Sequence, residues 1–107
     1  EPVFFANAER LFAGMREQAL AHDTQVLVLS MELCDALDST SVEALAELAT
    51  DLSHRGCTLM LARVKDRPRD ALHRAGLLDG SSGVLVPVFW SVDDAVEAAQ
   101  TRLEPAA

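Results

Sequence analysis

The sequence predicts one α/β domain, a mostly parallel sheet of about four strands packed against about four helices. Three observations carry this. Val26-Leu27-Val28-Leu29, Thr58-Leu59-Met60-Leu61-Ala62 and Val84-Leu85-Val86-Pro87-Val88-Phe89 are continuous apolar runs, the pattern of strands covered on both faces. The gaps between them carry apolar residues at helical spacing. Strand and helix alternate, and right-handed crossovers then lay helices against a parallel sheet.

In chain order, a short strand is expected at 3–6, followed by a helix from about Asn7 to His22-Asp23 with Ala8, Leu11, Phe12, Met15 and Ala19 inward. After the run at 26–29, Thr40-Ser41-Val42-Glu43 matches a capping box and opens a helix to Arg55. Val42, Leu45, Leu48, Ala49 and Leu52 form its apolar stripe, and Gly56 suits the left-handed residue that ends it. Following the run at 58–62, Asp66 is placed to cap a shorter helix with Pro68 in its first turn, Ala71, Leu72 and Ala75 inward, and Gly76 as its stop. Ser91 caps the last helix, whose first turns hold Asp93, Asp94 and Glu97 near the positive end of the dipole and whose Val92, Ala95, Val96 and Ala99 face inward. Residues 104–107 read as a fraying tail, and Trp90 as a core anchor.

The 107 residues are half apolar, enough for one core spanning 1–107 without covalent staples. A net charge of −8 opposes a general affinity for nucleic acid or anionic lipid surfaces, both polyanions. No window approaches the roughly 20 apolar residues of a membrane span, so no direct membrane insertion is expected. Cys34 and Cys57 show no metal-ligand spacing and read as buried thiols of a reducing compartment. The start at Glu1-Pro2-Val3, without an initiator Met, reads as a piece of something longer whose preceding strand has been removed.

Five segments resemble the STAS domain shared by anti-sigma factor antagonists and the cytoplasmic tails of SulP-type sulfate permeases. They are Phe4-Phe5-Ala6-Asn7-Ala8-Glu9, Leu37-Asp38-Ser39-Thr40-Ser41-Val42-Glu43-Ala44-Leu45, and the stretches 55–64, 72–77 and 88–96. The Phe-Phe-Ala-Asn opening is most similar to the transporter branch. Ser41 stands where the family usually has Gly. The resemblance implies a phosphorylation candidate at Thr40, flanked by Ser39 and Ser41, and a partner-contact loop that includes Asp38 and Glu43. A phosphate at a helix start gains from the free N–H groups and the dipole, yet Asp38 and Glu43 repel it, so docking there would change sharply. The plainer reading is that Asp38, Ser39, Thr40 and Ser41 simply cap a helix.

Five of the nine basic residues, Arg63, Lys65, Arg67, Arg69 and Arg74, lie within 63–74. Because open α/β sheets bind ligands beyond the carboxyl ends of their strands, Arg63, Lys65, Arg67 and Arg69 are candidates for an anion, a nucleotide phosphate or an acidic partner. The alternative is a solvated surface on which Arg67 and Arg69 pair with Asp66 and Asp70. No glycine-rich phosphate loop is present, so no cofactor is expected beyond weak nucleotide binding. His22, His54 and His73 have no nucleophile near them in sequence, no carboxylate sits in an apolar run, and Ser39 and Ser41 lack elbow glycines. No catalytic residue, metal ligand or enzyme activity is therefore expected.

The reading that follows is a regulatory STAS domain of a SulP-type anion transporter at the cytoplasmic face of the plasma membrane. It would contact the transmembrane domain of the same protein or a cytosolic protein, and a homodimer could form through the transporter. The alternative is a free-standing anti-sigma factor antagonist regulated by phosphorylation at Thr40. A hydrolase or nucleotide-using enzyme is disfavoured by the missing motifs.

Overall fold

The structure is a computed structural model that describes residues 3–7, 14, 17 and 24–103. The first helix expected from the sequence lies mostly outside the described residues, although Gly14 and Glu17 within it are helical; the tail at 104–107 also lies outside. Asn7, expected to cap that helix, is the last residue of a strand.

Four strands, β1 (Val3–Asn7), β2 (Val26–Ser30), β3 (Thr58–Ala62) and β4 (Val88–Phe89), form one sheet in the order β1-β2-β3-β4. All three pairings are parallel, in the register Val3↔Val26, Val26↔Thr58 and Leu61↔Val88. Three helices accompany them among the described residues: α1 (Ser39–His54), α2 (Asp66–Arg74) and α3 (Val92–Leu103).

The apolar runs of β2 and β3 are covered on both sides, as expected. Leu27, Leu29, Leu59 and Leu61 join Leu45, Leu48, Ala49 and Leu52 of α1 and Leu72 of α2 in the larger core cluster. Val26, Val28, Met60 and Ala62 point the other way, against Ala95 and Ala99 of α3, with Phe89, Val92 and Val96 half-buried beside them. Residues alternate between the faces of a strand, so every position of β2 needs an apolar or small side chain, and all five are buried.

The third apolar run departs from expectation, because only Val88 and Phe89 are strand. Pro87 has no N–H to donate to a ladder, and its carbonyl accepts from Leu61. Val86 instead donates to Leu77 O at 2.9 Å, which ties the run to the turn after α2 and leaves Leu85 exposed.

Local chemistry sets the helix boundaries, and two of them correct the sequence reading. Asp38, not Thr40, is the N-cap of α1: its Oδ1 accepts from Ser41 N–H at 2.8 Å, and the helix begins two residues earlier than a box starting at Thr40 would place it. The N-cap of α2 is Lys65, with no side-chain cap; Asp66 is already helical. Ala75, expected inward, is exposed. The cap of α3 is as expected, Ser91 Oγ accepting from Asp94 N–H at 3.0 Å. Gly76, at φ 76°, turns the chain after α2, and a Cβ there would lie 2.5 Å from Ser81 Oγ, so only glycine fits. Cys57 is buried and Cys34 only half-buried, and both thiols are free.

Trp90 is not a core anchor. It is 82% exposed, because it follows the last residue of the edge strand β4 and no layer lies over it among the described residues.

Leu61, fully buried in β3, is expected to lose about 2–5 kcal/mol of stability on L61A, whereas L85A should change stability by no more than about 0.5 kcal/mol. Urea unfolding of the two variants beside the parent chain measures both, and equal losses would contradict the burial assigned here.

Candidate functional site at the carboxyl end of the sheet

Since all strands are parallel, their carboxyl ends share one edge, and the connections leading into α1, α2 and α3 start there. Both groups of candidate residues lie along this edge. The connection 31–38 follows β2 and ends in the cap of α1, while 63–65 follows β3 and enters α2.

Backbone and ion-pair contacts hold these two connections together. Met31 N–H donates to Ala62 O at 2.9 Å, and Arg63 N–H to Phe89 O at 3.0 Å, extending the ladder one step past the strands. Arg63 adopts φ 59°, a left-handed conformation unusual for a residue with a Cβ, which turns the chain sharply out of β3. Its Nε then meets Glu32 Oε2 at 2.9 Å, and Lys65 Nζ meets Asp35 Oδ1 at 2.6 Å. Both pairs are exposed and contribute little to stability; they join the loop that precedes α1 to the segment that follows β3. The Lys65 hydrogen bond and charge hold the Asp35 carboxyl below its ordinary pKa.

The four basic candidates therefore divide. Arg63 and Lys65 are committed to Glu32 and Asp35. The Arg69 guanidinium lies 5.5 Å from the centroid of the Trp90 ring, in cation–π contact. Arg67 and Arg74 line a cleft of about 300 Å³ with Asp70 and Ala71 of α2 and with Ala36 and Leu37 of the loop before α1. Pairing of Arg67 or Arg69 with Asp66 or Asp70 is not found among the described residues.

At the start of α1, Ser39, Thr40 and Glu43 are exposed and Ser41 is half-buried. The Ser41 N–H, directed at the Asp38 carboxylate, holds that group below its ordinary pKa. This arrangement presents hydroxyls and carboxylates on a rigid helix start and suits contact with another surface. His54 and His73 are exposed, and no group of three metal-ligating side chains is present among the described residues. Burial raises the Cys34 thiol, which opposes formation of a reactive thiolate.

The two ion pairs and the Arg69–Trp90 contact were not foreseen. Acidic Glu32 and Asp35 follow one apolar run and basic Arg63 and Lys65 follow the next, but that complementarity has meaning only once Ser30 is paired with Ala62.

These features define a class, an open parallel α/β domain that offers helix starts and charged side chains along one edge. The chain belongs to the STAS domain family, whose sequence profile matches residues 1–95. A probable sulfate transporter of Mycobacterium tuberculosis is 34% identical over 109 residues, covering 94% of this chain and 18% of the relative. The chain thus spans less than a fifth of the length of the curated relatives it matches. Among solved structures, a sulfate transporter family protein from Wolinella succinogenes is 26% identical with a TM-score of 0.76, over 97% of this chain and 89% of that one. The STAS domain of a SulP transporter from Vibrio cholerae has the same TM-score, 0.76, at 19% identity, over 96% and 84% of the two chains, a likeness of fold. The chain is homologous to the STAS domains of sulfate transporters.

The Asp38 cap leads to a pH-dependent expectation. Its folded pKa is depressed, so its stabilising contribution is present above the ordinary carboxylate value, near 3.9, and is lost as pH falls through the lower folded value. D38A should lower the melting temperature at neutral pH, D38N should retain most of it, and the D38A deficit should shrink as pH is lowered past that window. Thermal melts between pH 7 and pH 2.5 test this, and a deficit constant across the range would refute it.

Proposed function

We propose that this chain is the regulatory STAS domain of a SulP-type anion transporter, held on the cytosolic side of its membrane part and tuning transport by contact, without bond-making chemistry. The observation that carries the reading is the 34% identity over 94% of the chain to a probable sulfate transporter. Its span of 18% of that relative fits a domain within a longer protein. No helix among the described residues is long and apolar enough to cross a membrane, so in this reading any spanning segments belong to other parts of the protein.

The contact surface is the carboxyl edge of the sheet, with Asp38, Ser39, Thr40, Ser41 and Glu43 at the start of α1. Phosphorylation at Thr40 would place about two negative charges beside Asp38 and Glu43, releasing an acidic partner or recruiting a basic one. Arg67, which lines the adjacent cleft together with Arg74, is the one of the four basic candidates left for an anionic group, since Arg63 and Lys65 are engaged and Arg69 lies against Trp90. The antagonist alternative shares this loop, but the sulfate transporter relatives at 34% and 26% identity favour the transporter.

The test is reconstitution of the membrane part of the cognate transporter in vesicles, with and without this chain. The domain should bind the membrane part in detergent, and its omission should change anion flux by about fivefold or more, the usual scale of a regulatory coupling. Absence of both binding and a flux change would remove the reading.

A further inference from the structure

The outer edge of β4 carries a surface that the site described above does not use. β4 ends the sheet order, so one of its sides has no neighbouring strand among the described residues. The carbonyls of Pro87 and Phe89 turn inward, accepting from Leu61 and Arg63. Backbone groups alternate in direction along a strand, and Val88 between them therefore presents its N–H and C=O to the open side.

Beside that edge runs a groove of about 520 Å³, with Val88, Phe89 and Trp90 on one wall and Asp94, Glu97, Ala98 and Thr101 on the other. The second set follows a spacing of three, one and three residues, a single stripe of α3. Ala98 and Thr101 are short, leaving room for a main chain, and neither Asp94 nor Glu97 is in an ion pair among the described residues. At the mouth stands Trp90, 82% exposed, with the Arg69 guanidinium at 5.5 Å from its centroid. That contact orients a large ring that would otherwise lose rotamer freedom on binding.

We propose that this groove binds an extended, Lys- or Arg-bearing segment of the transporter's membrane part, which adds a strand to β4, covers Trp90 and places its cations against Asp94 and Glu97. The proposal rests on the transporter reading and adds to the α1 surface a second one, through which the domain docks on the membrane part. Charge selects the occupant. The groove offers carboxylates on a chain of net charge −8, and cytosolic loops of membrane proteins are enriched in Lys and Arg. A second copy of this chain is disfavoured, since two-fold pairing of β4 with itself brings the same acidic stripes face to face.

Trp90 is the sole tryptophan of the chain, so its fluorescence reports directly on the groove. The intact chain is titrated with tryptophan-free synthetic peptides that cover each cytosolic segment of the cognate membrane part. One basic peptide is expected to shift the emission to the blue saturably, less so at raised salt, and the double variant D94N/E97Q should weaken its affinity about tenfold or more. No shift with any peptide, or a shift indifferent to D94N/E97Q, overturns the proposal. So does a blue shift that grows with the concentration of the chain alone and accompanies a doubled mass in sedimentation, which is the signature of a second copy. W90A, which removes a mostly exposed ring, supplies the separating measurement, with its fold checked by circular dichroism. Undiminished binding of W90A to the detergent-solubilised membrane part disproves this surface and leaves the transporter reading standing, whereas failure of the unaltered chain to bind sinks both.

Discussion

β2 and β3 have sheet neighbours on both sides and helices on both faces, and among the described residues no other element is so fully enclosed. Their backbone groups are satisfied laterally by parallel ladders, so the side chains above and below are free to be apolar throughout. Leu27, Leu29, Leu59 and Leu61 hold α1 and α2 on one face; Val26, Val28, Met60 and Ala62 hold α3 on the other. The three helices are therefore placed by two strands, and a helix start follows each of β2, β3 and β4 at the same edge.

That placement accounts for the candidate surface. A parallel sheet sends every strand-to-helix connection to its carboxyl edge, where backbone N–H groups at helix starts and the side chains of the connections gather without belonging to the core. In this chain the connections are held together by charge, through Glu32 with Arg63 and Asp35 with Lys65, and by the left-handed turn at Arg63. The Asp38 loop is consequently tied to the segment that follows β3. The same topology leaves β4 open on one side among the described residues, and the acidic stripe of α3 beside exposed Trp90 gives that edge a chemistry distinct from the α1 surface.

The hydroxyl-rich loop has a structural duty that constrains any regulatory one. Asp38 is occupied with Ser41 N–H, while Ser39 and Thr40 face solvent. The Thr40 hydroxyl is exposed, and the cap runs from Ser41 N–H to Asp38.

The sequence by itself determined the parallel α/β class, the stripes of α1 and α3, the Ser91 cap and the family, because hydrophobic period and cap chemistry are local and survive in one dimension. It misplaced what depends on competition between neighbours. The Thr40 capping box was a sound pattern, yet Asp38 reached Ser41 N–H first. The run 84–89 looked like a full strand, but Pro87 and the turn after α2 diverted its first half. Trp90, apolar and next to an apolar run, gave no sign that it lay beyond an edge. Which strand is last in the sheet, which loop charges face one another across Ser30 and Ala62, and which aromatic remains uncovered are properties of strand order and register. Those arise only when residues distant in sequence are packed together, and the tertiary structure alone decided them.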